Sequence, residues 1–221
     1  ILSFASADEG VIIQPDIEIY RELKLRLLNG THTLSCGLAY LAGFGTVKQA
    51  MDDSGFSTFV ADLMLKEIAP AIPYDVPLED ARDFGLRVLD RFRNPHLQHQ
   101  WLSITMQYSS KMKSRDIPVL LRHYQQHSTP PPRFALGFAA YLLFMKGGAY
   151  TITDDKAGHF AELWKKPETV VNAALKDKSL WGADLTQLAG FEEAVKKNLD
   201  SLISKGATAT LAQAAGKPVV R

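Results

Sequence analysis

Three side chains near the start of the chain could move a proton to or from a carbonyl oxygen: Lys24, Asn29 and His32, within Tyr20-Arg-Glu-Leu-Lys-Leu-Arg-Leu-Leu-Asn-Gly-Thr-His32. An ammonium can protonate the alkoxide that forms when hydride reaches a ketone. An amide and an imidazole can donate hydrogen bonds to the oxygen that gains charge. On an α-helix the three project at about 0°, 140° and 80°, all on one side of the cylinder. A free lysine, with a pKa of about 10.4, binds its proton too tightly to act as a base at neutrality, so the role requires partial burial of Lys24. Helical side chains also lean toward the N-terminus, which carries Lys24 away from the other two. A folded-back stem or an irregularity at Gly30 has to close that gap. Spacing alone suits a second arrangement equally: an amphipathic core helix with an exposed lysine, a capping asparagine and a satisfied histidine.

The elements that must hold these groups read as helices. Leu23, Leu27, Leu28 and Leu34 give the first one an apolar side, Asp16 stands where an N-cap belongs, and the pattern runs from Ile17 to about Phe44 with a weak point at Asn29-Gly30. Residues 1–15, with the β-like run Val11-Ile-Ile13, read as a connecting segment, and residues 16–221 as the helical domain. Further helical patterns cover Thr46 to Met51, Phe56 to Ile68, Leu78 to Phe92, a stretch from about Trp101 into Ser109-Ser-Lys-Met-Lys-Ser-Arg115, and Ile117 to Tyr124. Past Ser128-Thr-Pro-Pro-Pro-Arg133, a break that could divide two subdomains, come an apolar helix from Phe134 to Met145 and helices near Ala161 to Trp164, Val170 to Leu175 and Phe191 to Ile203. The tail from Gly206 to Gly216 is a small-residue helix or a loose end. The fold class is mostly α.

Composition narrows the partners. The 25 Lys+Arg against 24 Asp+Glu leave a net charge of +1, which provides no global field for nucleic acid or an anionic membrane. The apolar run Phe134 to Met145 is shorter than the roughly 20 residues a membrane span needs. One cysteine, Cys36, cannot form an internal disulfide, and with no signal-peptide pattern at the start the expected compartment is the cytoplasm. The pairs His96 with His99 and His123 with His127 imitate zinc ligands, but the second encloses Tyr124-Gln125-Gln126 where a catalytic glutamate would be required, so no metal is expected. Gly43-Phe-Gly45 starts like a dinucleotide fingerprint but follows a helix and lacks the third glycine.

The spacing Lys-x4-Asn-x2-His in Lys24-Leu-Arg-Leu-Leu-Asn-Gly-Thr-His32, flanked by Ile17-Glu-Ile-Tyr-Arg-Glu-Leu-Lys24 and Leu38-Ala-Tyr-Leu-Ala-Gly43, resembles the polyol-specific long-chain dehydrogenase/reductases, the mannitol dehydrogenase family. The resemblance covers roughly residues 10 to 200, and Arg91-Phe-Arg-Asn-Pro95 and Ser109-Ser-Lys111 contribute to it. It implies a multi-helical catalytic and substrate domain of the 6-phosphogluconate-dehydrogenase-like type, preceded in the parent protein by an N-terminal Rossmann domain that binds NAD. It also implies Lys24 as general acid/base, with Asn29 and His32 polarising the substrate oxygen, and no metal. Where the polyol branch carries an arginine and a histidine before its Ser-x-Lys, this chain has Ser103 and Met106. The wording is closer to the branch whose substrates are keto-uronic acids. A carboxylate needs a cationic partner, and Lys111, Lys113, Arg115 and Arg93 are the candidates. The alternatives are a polyol-oxidising relative and, from another class, a helical binding or assembly module without catalysis.

Overall fold

The computed structural model describes residues 13 and 16–214; most of the β-like run and the end of the tail lie outside them. Among the described residues the regular structure is helical, and the β-type pairing is the isolated antiparallel bridge between Thr46 and Gln100. Asp16 accepts the Glu18 backbone N–H at 2.8 Å and starts α1 (Glu18–Leu23). The chain then passes without a break into a π-helical segment, Lys24–Gly30, and on into α2 (Thr31–Leu41). The irregularity expected at Gly30 is therefore a wide turn extending back to Lys24.

Next come α3 (Val47–Asp52) and α4 (Ser54–Asp62), whose N-termini are capped by Thr46 and Asp53. A second π-helical segment, Leu63–Ile68, leads toward α5 (Leu78–Phe92). Short helices α6 (Trp101–Ile104) and α7 (Tyr108–Lys111) run into a third π-helical segment, Met112–Asp116, and then α8 (Ile117–Gln126). Beyond the proline turn lie α9 (Pro132–Met145), α10 (Ala157–Leu163), α11 (Val170–Lys176), α12 (Lys178–Trp181), α13 (Phe191–Lys205) and α14 (Ala207–Ala214).

The centre of the molecule is the packing of α9 on α2 and α13. Residues Thr31 through Ala39 of α2 are buried without interruption, and α9 is buried along most of its length, so neither helix retains a polar face. Their backbones can approach because glycines stand at the contact. A Cβ on Gly137 would lie 2.6 Å from the Leu34 carbonyl oxygen, and one on Gly37 would lie 2.9 Å from the Tyr108 hydroxyl. The Glu67 carboxylate accepts the backbone N–H groups of Arg133 and Phe134 at 2.9 and 2.8 Å, closing the start of α9. Buried residues from both sides of 128–133 belong to one hydrophobic cluster. No helix among the described residues is long and apolar enough to cross a membrane.

Candidate active site

The π-helical turn alters the register of the predicted triad. The Thr31 N–H reaches the Arg26 carbonyl, five residues back. With i→i+5 pairing, Asn29 falls over Lys24 rather than well round the cylinder from it, and His32 follows one ordinary turn later. Lys24, Asn29 and His32 thus form a strip along one side of a continuous helix.

Long-range packing holds this turn open. The first and third π-helical segments lie against each other, and each sends an arginine into the other's backbone. Arg26 donates through Nη1 to the Ser114 and Arg115 carbonyls, both at 2.7 Å, while its Nε bonds Glu22 Oε2 at 2.9 Å. In return Arg115 donates to the Asn29 carbonyl at 3.4 Å and to Thr33 Oγ1 at 3.1 Å. Asp116, 1% exposed, sits at this junction against Gly30, where a Cβ would come within 2.7 Å of its Oδ1. Burial pushes the Asp116 carboxyl well above the usual range, against the pull of Arg115 and Arg26. Gly30 is therefore required by contact with a distant segment rather than by its own backbone angles.

His32 ends the strip in a different environment. It is 7% exposed, stacks flat on Phe92 with ring centres 4.1 Å apart, and meets His99 and Trp101 edge-on at 5.3 and 5.8 Å. Its Nε2 is buried and has no hydrogen-bond partner among the described residues, which is not the satisfied core histidine of the bland alternative. Burial, reinforced by His99, Arg115 and Arg91, draws its pKa down to about 3, so the ring is neutral at physiological pH. Beside it opens a cavity of about 330 Å³ lined by Leu28, His32, Arg91, Phe92, Leu97 and His99, among others. A larger hollow of about 760 Å³, between Ile72, Tyr74, Pro118 and Gln125, contains none of the predicted site residues.

The remaining predicted groups differ in placement. Lys24 is exposed and outside the cavity's lining, so this chain's own elements do not supply the burial its base role requires. The Asn29 side chain is partly buried and makes no hydrogen bond among the described residues. Lys111 is partly buried and donates to the Ile104 carbonyl at 3.0 Å; burial, then the Arg115 charge, lowers its pKa. Asp154 fixes the helix that carries it by accepting the Ser109 N–H at 2.7 Å and the Ser109 hydroxyl at 2.9 Å. Lys113 is exposed and bonds the Ser179 carbonyl at 3.3 Å, and Arg93 pairs at the surface with Asp90 at 3.2 Å. Neither of these two lines the cavity.

Two lining residues, His99 and Arg91, were not among the sequence candidates for the site. In the sequence His99 stands out only as half of the His96–His99 pair. It is fixed by the turn after α2, where its carbonyl accepts the Val47 N–H at 2.9 Å and Trp101 N–H reaches Gly45 at 3.1 Å. The glycines of the false fingerprint build this turn, Gly43 with φ of 89°. Among the described residues no three His, Cys, Asp or Glu side chains converge as metal ligands would.

The family model of the mannitol dehydrogenase C-terminal domain matches residues 16–203. The chain belongs to this family. It is 37% identical over 218 residues to the altronate oxidoreductase of Yersinia enterocolitica, covering 93% of this chain and 45% of that protein. The altronate oxidoreductase of Pectobacterium carotovorum is 35% identical, with coverage of 92% and 45%. The structure of Pseudomonas fluorescens mannitol 2-dehydrogenase, a ternary complex with NAD and D-mannitol, superposes with a TM-score of 0.82 at 28% identity and covers 95% of this chain and 44% of its own. The chain thus spans less than half the length of these mannitol dehydrogenase family relatives, which are oxidoreductases.

Proposed function

We propose that this chain is the catalytic and substrate half of an NAD-dependent reductase of keto-uronic acids, converting tagaturonate to altronate. The observation that carries the reading is His32 itself, one turn beyond Asn29: the residue lines a cavity, and its Nε2 is buried without a hydrogen-bond partner among the described residues. A neutral imidazole can donate a hydrogen bond to a carbonyl oxygen there without spending its own charge. Asn29 offers an amide on the same strip, and Lys24 delivers the proton the alkoxide needs. Overall, the ketone takes a hydride and a proton and becomes a secondary alcohol.

The described residues contain no strand leading through a glycine-rich turn into a helix, so they do not supply a dinucleotide's phosphate cradle. When bound, the nicotinamide supplies the hydride; this chain's residues orient the oxygen and move the proton. Lys24 would then become buried where the cofactor-binding part of the parent protein faces the strip.

Support for a sugar acid over a polyol comes from identities of 37% and 35% to altronate oxidoreductases against 28% to the mannitol enzyme, and from Ser103 and Met106 where the polyol branch has an arginine and a histidine. The test is NADH oxidation by the full-length protein with tagaturonate, fructuronate and fructose. Tagaturonate should be turned over fastest. A preference for fructose would place the protein with the polyol enzymes, and silence on all three would favour a non-catalytic module.

A further inference from the structure

The cavity beside His32 has a chemical bias that the proton-transfer strip does not explain. Its lining contains a guanidinium, Arg91, and two imidazoles, His32 and His99, but no aspartate or glutamate. Apart from the exposed Lys24, which lies outside the lining, the neighbouring cations named as carboxylate candidates are committed. Arg26 and Arg115 are spent on backbone carbonyls across the π-helical junction, Lys111 on the Ile104 carbonyl, and Arg93 on Asp90. Arg87, one turn earlier on α5, shares a different hollow with Asp16, Asp80 and Asp83. Arg91 alone among these lines the His32 cavity, and its side chain has no ion pair or hydrogen bond among the described residues.

An exposed guanidinium that lines the cavity without a protein counterion among the described residues suits a planar anion, which it can meet with two parallel N–H bonds. The field is already felt inside: Arg91 contributes to lowering the pKa of both His32 and His99, although burial is the larger cause for each. Both imidazoles therefore stay neutral near pH 7 and can act as donors rather than as further cations. His99 is held in place by its backbone, through the pairing with Val47, and its ring stands edge-on to His32 at 5.3 Å. A ligand whose carbonyl oxygen meets His32 therefore finds Arg91 and His99 along the same wall.

We infer that Arg91, assisted by His99, receives the carboxylate of the substrate. The assignment rests on the sugar-acid reading above. It moves carboxylate recognition from Arg93, Lys111, Lys113 and Arg115 to a residue two positions before Arg93 in Arg91-Phe-Arg93.

The test uses the full-length protein and compares kcat/KM for tagaturonate with that for tagatose, the ketose bearing a hydroxymethyl group in place of the carboxylate. Arg91→Gln should lower kcat/KM for tagaturonate roughly 10- to 100-fold, mainly through KM, and leave tagatose nearly unchanged. Arg91→Lys should recover part of the loss. His99→Phe should produce a smaller loss in the same direction. Arg91 is exposed, so these variants should keep the wild-type melting temperature. A wild type that prefers tagaturonate and keeps its full preference after Arg91→Gln overturns the Arg91 assignment alone. Equal losses on both substrates would make Arg91 a structural residue and overturn it too. A wild type that prefers tagatose, or is silent on both, overturns the sugar-acid reading and the assignment with it.

Discussion

Two neighbouring regions on the same helix treat most of their polar groups differently, although Asp116 Oδ2 at the first of them is also buried without a partner among the described residues. At the junction of the two π-helical segments, Arg26, Glu22, Arg115 and the carbonyls of Ser114 and Asn29 are joined in a closed set of bonds. One turn further on, His32 has a buried nitrogen without a partner and Arg91 has no counterion among the described residues. Buried polar groups that find one another stabilise a geometry. A buried nitrogen left unpaired, as in His32, retains a desolvation cost, whereas the exposed Arg91 keeps its hydration and is simply free to meet an anion. The junction is the scaffold that sets the register of Lys24 and Asn29, and the His32 cavity is where the proposed function would use that register.

The largest effect on the fold should come from breaking the scaffold. Arg26→Ala leaves Glu22, 7% exposed, without its partner and two carbonyls without a donor, so chemical denaturation should show a loss of about 3–5 kcal/mol. Arg91→Gln, on the cavity side, should stay within about 0.5 kcal/mol of wild type. Equal losses would erase the distinction between the two regions.

A smaller effect follows from the His32 imidazole. Its pKa of about 3 in the fold lies below the ordinary 6.5, so between those values the unfolded chain binds a proton that the native protein does not. Stability attributable to His32 is present above pH 6.5 and is lost as pH falls toward 3, by on the order of 2 kcal/mol between pH 6.5 and 5. Glu67 works the other way: burial raises its pKa to about 7 from 4.5, so the fold gains from its protonation as pH falls through that range. The measurement is therefore the difference between wild type and His32→Gln, in which Glu67 cancels. The variant should be less acid-sensitive, and parallel pH curves would count against a desolvated His32.

Much of this was legible in the chain. Helical periodicity places Leu78 to Phe92 at its observed bounds and marks the Phe134 to Met145 run as a buried helix, because burial repeats locally in sequence. The Lys-x4-Asn-x2-His spacing locates the strip. The π-helical turn from Lys24 was not readable, since what holds it is Arg26 reaching carbonyls nearly ninety residues away. His99 was hidden for a similar reason: its position depends on a bridge to the turn at Thr46, and its spacing from His96 suggested a different chemistry. The sequence offers Arg93 as a carboxylate partner, and nothing in Arg91-Phe-Arg93 itself tells the two arginines apart. The buried Phe92 that stacks on His32 is the local signal that the end of α5 faces the site, and the fold shows that Arg91 rather than Arg93 lines the cavity.

The most direct measurement is kcat for tagaturonate reduction by the full-length Lys24→Ala protein, with NADH affinity followed in parallel by fluorescence titration. A strip that performs proton transfer predicts a fall in kcat of roughly 10²- to 10⁴-fold with NADH affinity nearly unchanged. A kcat equal to that of wild type would contradict the assignment of Lys24 as the proton donor.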